Sequence, residues 1–75
     1  MKLSEMPSGE RGRIVRVCGD KHLKKRLQTM GILTGEEIIV EKVAPLGDPI
    51  DVRVKGYHLS LRKEEADQIE VEVVK

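Results

Sequence analysis

The sequence predicts a mostly β fold: a small barrel of five short strands with one α-helix inserted over about residues 20-30. Three observations carry this. IDVRV (50–54) and YHLSL (57–61) alternate apolar and polar residues on either side of Lys55-Gly56, the pattern of a β-hairpin with a tight turn. Leu23, Leu27 and Met30 recur at the spacing of one helical face, behind Asp20, which can cap a helix, and ahead of Gly31. The apolar residues are mostly Val, Ile and Leu, with Tyr57 the one aromatic, which suits a sheet core packed from branched aliphatics.

The elements follow in order. Residues 1–8 form a short lead-in, with Leu3 and Met6 expected to tuck against the core. Gly9 and Gly12 bracket a bend into RIVRVC (13–18), the first strand. Its inward face is ambiguous, because Val15 and Val17 share one parity while Ile14 and Cys18 share the other. GDKHLKKRLQTMG (19–31) is an amphipathic helix whose polar side carries Lys21, Lys24, Lys25 and Gln28, and Gly31 stands where a left-handed C-cap belongs. ILTG then turns into a second strand from about Glu36 to Ala44, and PLGDP is a loop.

The hairpin comes next, and RKEEAD makes a single helical turn. QIEVEVV is the last strand, with Ile69, Val71 and Val73 facing in and Glu70 and Glu72 out. Closing the sheet would remove edges that so short a chain struggles to protect. Leu23, Leu27, Ile50, Val52, Leu59, Leu61 and Val71 are the expected core, where replacement by Ala costs roughly 2–5 kcal/mol.

Size bounds what this fold can do. With 75 residues there is room for one domain, 1–75, and little room for a deep catalytic cleft. Net charge is +1, but unevenly spread: Arg11, Arg13, Arg16, Lys21, Lys24, Lys25 and Arg26 crowd the first half, and Glu64, Glu65, Asp67, Glu70 and Glu72 the tail. Opposed lobes of this kind can steer a protein partner or permit weak self-association. A single Cys18 excludes an intrachain disulfide, and MKLSEMPSGE has no apolar stretch of signal-peptide length. No segment reaches the roughly 20 apolar residues that cross a bilayer. The expected location is therefore cytoplasmic, with any membrane association coming through a partner.

Specific chemistry is sparse. Cys18 and His22 lie four positions apart and could pair as a thiol and its base, yet no third group or oxyanion site accompanies them. Cys18, Asp20, His22 and His58 are all ligand types for a transition metal, but CxxC and HExxH are absent and His58 falls on an outward parity. No metal site is assigned to them. GILTGE lacks the spacing and the Lys-Ser/Thr of a phosphate-binding loop, and it leaves a helix rather than entering one. Gly31, Gly35, Gly47 and Gly56 are therefore turn glycines. A basic patch on a small barrel also fits nucleic acid, although Tyr57 alone is a thin stacking platform and no helix-turn-helix pair is present.

RLQTMGILTGEEI followed by VAPLGDPIDVRVKGYHLSLRKEEADQIEV resembles the FeoA family, small cytosolic accessory proteins of bacterial ferrous iron uptake. The similarity lies in the order of its parts. Arg26-Leu27 leads to Met30-Gly31-Ile32 and Gly35, then to APLGDPI at 44–50, to Leu61-Arg62, and to Glu65-Ala66 and Ile69; Leu3, Gly9 and Ile14 extend it toward the N-terminus. The resemblance implies an SH3-like barrel, no enzymatic activity, no cofactor, and action with FeoB, the membrane ferrous iron transporter that carries a cytoplasmic GTPase domain. It also implies kinship with the C-terminal SH3-like module of iron- and manganese-dependent repressors, without their DNA-binding and dimerisation portions. A docking role on the cytoplasmic region of FeoB would use Lys24, Lys25 and Gln28 on the helix, with Leu33 and Leu46 as apolar residues in turns. The alternatives are a basic barrel that binds nucleic acid, or a metal-responsive regulatory module.

Overall fold

The computed structural model describes residues 1–74. A 3₁₀ turn, Leu3–Glu5, precedes β1 (Arg11–Val17), α1 (Lys21–Thr29), β2 (Glu37–Val43), β3 (Ile50–Val54), β4 (Tyr57–Leu61), the one-turn α2 (Lys63–Ala66) and β5 (Ile69–Val73). The strands form one antiparallel sheet in the order β4-β3-β2-β1-β5. β1 thus has a hydrogen-bonded neighbour on each side, and α1 lies in the connection from β1 to β2.

Two bulges bend the sheet. In β1, Ile14 faces Val71 and Arg16 faces Glu70, so Val15 is an extra residue without a partner. This resolves the ambiguous parity of RIVRVC: Gly12 and Ile14 point inward before the bulge, and Val15 is thrown outward, 46% exposed. In β2 the register slips between Val40 and Lys42, and the intervening Glu41 lies on the outer face against Arg53 and His58.

The expected closure is met differently. Among the described residues the hydrogen-bonded sheet stays open, with β4 and β5 at its edges. The lead-in covers one of them. Lys2 bridges to Glu70, the Met1 carbonyl accepts from Val71 N at 2.8 Å, and Leu3 and Met6 are buried beneath. An edge covered in this way offers no template to another chain.

The core is aliphatic, comprising Leu3, Met6, Ile14, Leu27, Ile32, Ile38, Val40, Ile50, Val52, Val54, Leu61, Ala66, Ile69 and Val71. Leu23 and Leu59, expected within it, are half-buried and pack against its margin. Leu23 sits in the first turn of a short helix and Leu59 on edge strand β4, so neither has neighbours on all sides. Val73, expected to face in, is 38% exposed at the end of β5.

One polar contact ties the lead-in to the end of α2. The Ser4 hydroxyl donates to Asp67 Oδ1, and Lys63 Nζ lies 3.5 Å from Asp67 Oδ2. The Ser4 hydrogen bond, with help from Lys63, holds the Asp67 carboxyl below the usual carboxylate range. A carboxylate depressed on folding stabilises the protein above its unfolded pKa, and that contribution is lost as pH falls through the folded value. Ser4→Ala is therefore expected to be less stable than the parent at neutral pH, with the difference vanishing in acid. Urea unfolding followed across an acid pH series reads this, and a difference that persisted below the Asp67 titration would refute it.

Candidate docking surface

The side chains of α1 divide cleanly. Asp20 accepts a hydrogen bond from Leu23 N at 2.8 Å and caps the helix. Its C-terminus is a Schellman motif: Gly31 N donates to Gln28 O at 3.0 Å and Ile32 N to Leu27 O at 2.9 Å, with Leu27 and Ile32 both buried. Gly31 has φ 94°, the left-handed conformation this motif requires. A Cβ there would also lie 1.9 Å from Tyr57 Oη, the hydroxyl that donates to Met30 O at 2.6 Å. Gly31 thus serves both the turn and the seat of Tyr57, and the end of α1 is pinned to the β3–β4 hairpin.

The next turn repeats the logic. Glu36 N donates to Leu33 O at 3.1 Å across Gly35, which has φ 93°, and Gly35 N donates to Ile14 O at 2.8 Å. Both glycines of GILTGE thus shape a corner. Lys55 and Gly56, with φ 53° and 83°, make the two-residue hairpin turn, and Gly47, with φ 84°, follows the corner of the 44–49 loop.

The residues proposed from sequence to meet a partner are placed as follows. Lys24, Lys25 and Gln28 are exposed on α1. Leu33 is 37% exposed, while Leu46 is 94% exposed. Leu46 occupies the corner of the turn closed by Gly47 N donating to Ala44 O at 2.7 Å. The same loop is anchored at its far side, where Asp48 Oδ1 accepts from Lys63 N at 3.0 Å. Leu46 is thus an apolar side chain held out in water by a fixed turn, with no core contact to explain it.

Folding neutralises the strand part of the opposed charge lobes. β1 and β5 are neighbours, so Arg16 pairs with Glu70 at 2.7 Å and Arg13 with Glu72 at 3.6 Å, while Arg11 reaches Glu37 on β2 at 3.6 Å. Glu70 beside Arg16 raises the guanidinium pKa further above its ordinary value. Arg26 pairs with Glu65, a residue only 6% exposed, whose other carboxylate oxygen accepts from Arg62 N at 2.8 Å. Glu65 therefore caps α2 and clamps it to α1, a role that sequence reading did not assign. Its signal was an acid three residues after the residue preceding a helical turn. Among the described residues, Lys21, Lys24 and Lys25 join no ion pair.

The candidate ligand and catalytic residues stay apart. His58 Nδ1 lies 2.6 Å from Glu41 Oε1 on the outer face, His22 is exposed on α1, and Cys18 is half-buried after β1. Among the described residues no group of three or more His, Cys, Asp or Glu side chains is placed to hold a metal ion. No described helix is long and apolar enough to cross a membrane.

The FeoA domain model matches residues 1–73. The chain belongs to the FeoA family. A relative from Porphyromonas gingivalis, the Fe(2+) transport protein A/Fe(2+) transporter FeoB fusion protein, is 45% identical over 74 residues, which is 99% of this chain and 9% of the relative. The chain therefore spans under a tenth of that protein. The solution structure of iron(II) transport protein A from Clostridium thermocellum superposes with a TM-score of 0.94 at 49% identity, covering 99% of this chain and 46% of that one. Stenotrophomonas maltophilia FeoA, described as a procaryotic SH3 domain protein and solved complexed with zinc, gives a TM-score of 0.84 at 29% identity, covering 96% and 89% respectively. The fold of this FeoA-family chain is the SH3-like one, and the process its family serves is ferrous iron transport.

Proposed function

We propose that this FeoA-family chain is a non-enzymatic accessory protein of ferrous iron uptake that docks on the cytoplasmic part of FeoB and modulates its assembly or activity. The observation that carries this reading is the Porphyromonas gingivalis relative, in which the same domain and FeoB are one polypeptide. A covalent link gives an effective concentration of order millimolar, so a modest intrinsic contact suffices there. Docking without the link calls for roughly micromolar affinity, about 8 kcal/mol. The surface offered for it is the outer face of α1, Lys24, Lys25 and Gln28, with Leu33 and Leu46 in the turns. Such a role places the protein in the cytoplasm, at the inner face of the membrane when FeoB recruits it.

The test is a titration of the purified protein against full-length FeoB from the same organism, with and without guanine nucleotide. Saturable binding supports docking, and no binding in any nucleotide state overturns it. Within that assay, Leu46→Asp is expected to weaken binding roughly tenfold or more, as loss of an apolar anchor does. Its unfolding midpoint should stay near that of the parent, since a fully exposed side chain contributes within about 0.5 kcal/mol. Undiminished binding would remove Leu46 from the interface.

A further inference from the structure

The outer face of α1 is arranged against its own stability. Lys21 and Lys25 are four residues apart and Lys21 and Lys24 three, so three like charges are neighbours on one helix surface. They occupy the N-terminal half, where the helix dipole already presents positive charge, and the first turn contains no acid. Asp20 is engaged in capping, and Glu65 is taken by Arg26. Elsewhere among the described residues the strand arginines have acidic partners, and the other side-chain cations outside ion pairs, Lys2, Lys42 and Arg62, lie on separate segments. Among the described residues, the positive side chains outside ion pairs are thus densest on one short helix.

We infer that α1 is the electrostatic recognition face of this domain, and that the surface it meets is an acidic protein patch. This rests on the docking reading above and names the chemistry of the partner at that contact. The face is too dry of apolar and aromatic groups for the other polyanions. Leu23 and Leu27 point to the core side and the outward residues are Lys21, His22, Lys24, Lys25, Gln28 and Thr29, so nothing on α1 inserts into a lipid interface. Tyr57, the one aromatic, has its hydroxyl bound to Met30 O and offers no stacking series for a nucleic-acid strand. Lysines at a rim govern encounter and its salt dependence, whereas an apolar anchor such as Leu46 governs residence.

The experiment compares the parent, K21E/K24E/K25E, K21Q/K24Q/K25Q and L46D for association and dissociation rates with full-length FeoB, at low and high ionic strength. Thermal unfolding of each is recorded beside it. The charge reversal is expected to lower the association rate roughly tenfold or more, and the glutamine variant to flatten its salt dependence. The glutamine variant should unfold at the parent's temperature or above, because it relieves repulsion within α1. The three glutamates repel one another as the lysines did, but they face the positive end of the helix dipole, so that variant should also hold the parent's temperature. L46D should act mainly on dissociation.

Lysine variants that associate like the parent, while L46D still weakens the complex, would overturn the acidic-patch assignment and leave docking standing. Lysine variants that unfold earlier would show a structural role and overturn it as well. A parent that does not bind FeoB overturns both readings. Parallel titrations use phosphatidylserine vesicles and single-stranded oligodeoxynucleotide. Lysine-dependent binding there that exceeds binding to FeoB would replace the protein patch by lipid or nucleic acid.

Discussion

Gly31→Ala is expected to lower stability by roughly 2–3 kcal/mol, from a left-handed backbone forced on a residue with a Cβ and a lost hydrogen bond. The two terms have one geometric origin. At φ 94° the new methyl would lie 1.9 Å from Tyr57 Oη, so the ring must swing aside and release Met30 O. Tyr57 is 40% exposed, which gives its ring room to move but also means the hydroxyl partner is recovered only from water. Tyr57→Phe alone should cost roughly 1 kcal/mol. In the double variant the two losses should fall short of additive, because the phenylalanine has already given up the hydrogen bond and removed the clashing atom. Denaturant unfolding of the four proteins measures the coupling. Full additivity would mean that Gly31 is needed for its backbone alone.

Leu27→Ala carries the other large expected loss, roughly 2–5 kcal/mol. Leu27 is fully buried and is the one α1 side chain that enters the core completely, so it holds the helix against the sheet. Leu23→Ala and Leu59→Ala should each cost markedly less, because their half-exposed sites fill with water rather than remaining as cavities. The order Leu27 far above Leu23 and Leu59, read by urea unfolding, checks the picture of a helix held by a single deep anchor. Equal losses at Leu27 and Leu23 would contradict it. Loss of FeoB binding by Leu27→Ala would report unfolding, in contrast to Leu46→Asp, whose fold should stay intact.

The sequence by itself determined whatever is decided within a few residues. Asp20 as a cap, Gly31 as a left-handed C-cap, Lys55-Gly56 as the hairpin turn and the alternation of IDVRV all depend on backbone preferences and on periodicity, and each is legible in the sequence. The ordered run from Arg26-Leu27 through APLGDPI to Ile69 also pointed to the FeoA family, which a match over residues 1–73 establishes.

Only the tertiary structure decided the rest, because it turns on which distant strands become neighbours. Val15 is outward because β5 opposes β1 with one residue fewer. The β1 arginines of the basic first half are neutralised by acids of the tail because β1 and β5 lie side by side, which leaves the α1 lysines, a fact invisible in a charge count along the chain. Tyr57 reaches Met30 across 27 positions, and Glu65 reaches Arg26 from another helix. Leu33 and Leu46 read alike as turn leucines, yet one is 37% exposed and the other 94%. Exposure depends on what packs over a residue from elsewhere, and neither local pattern nor composition contains that information.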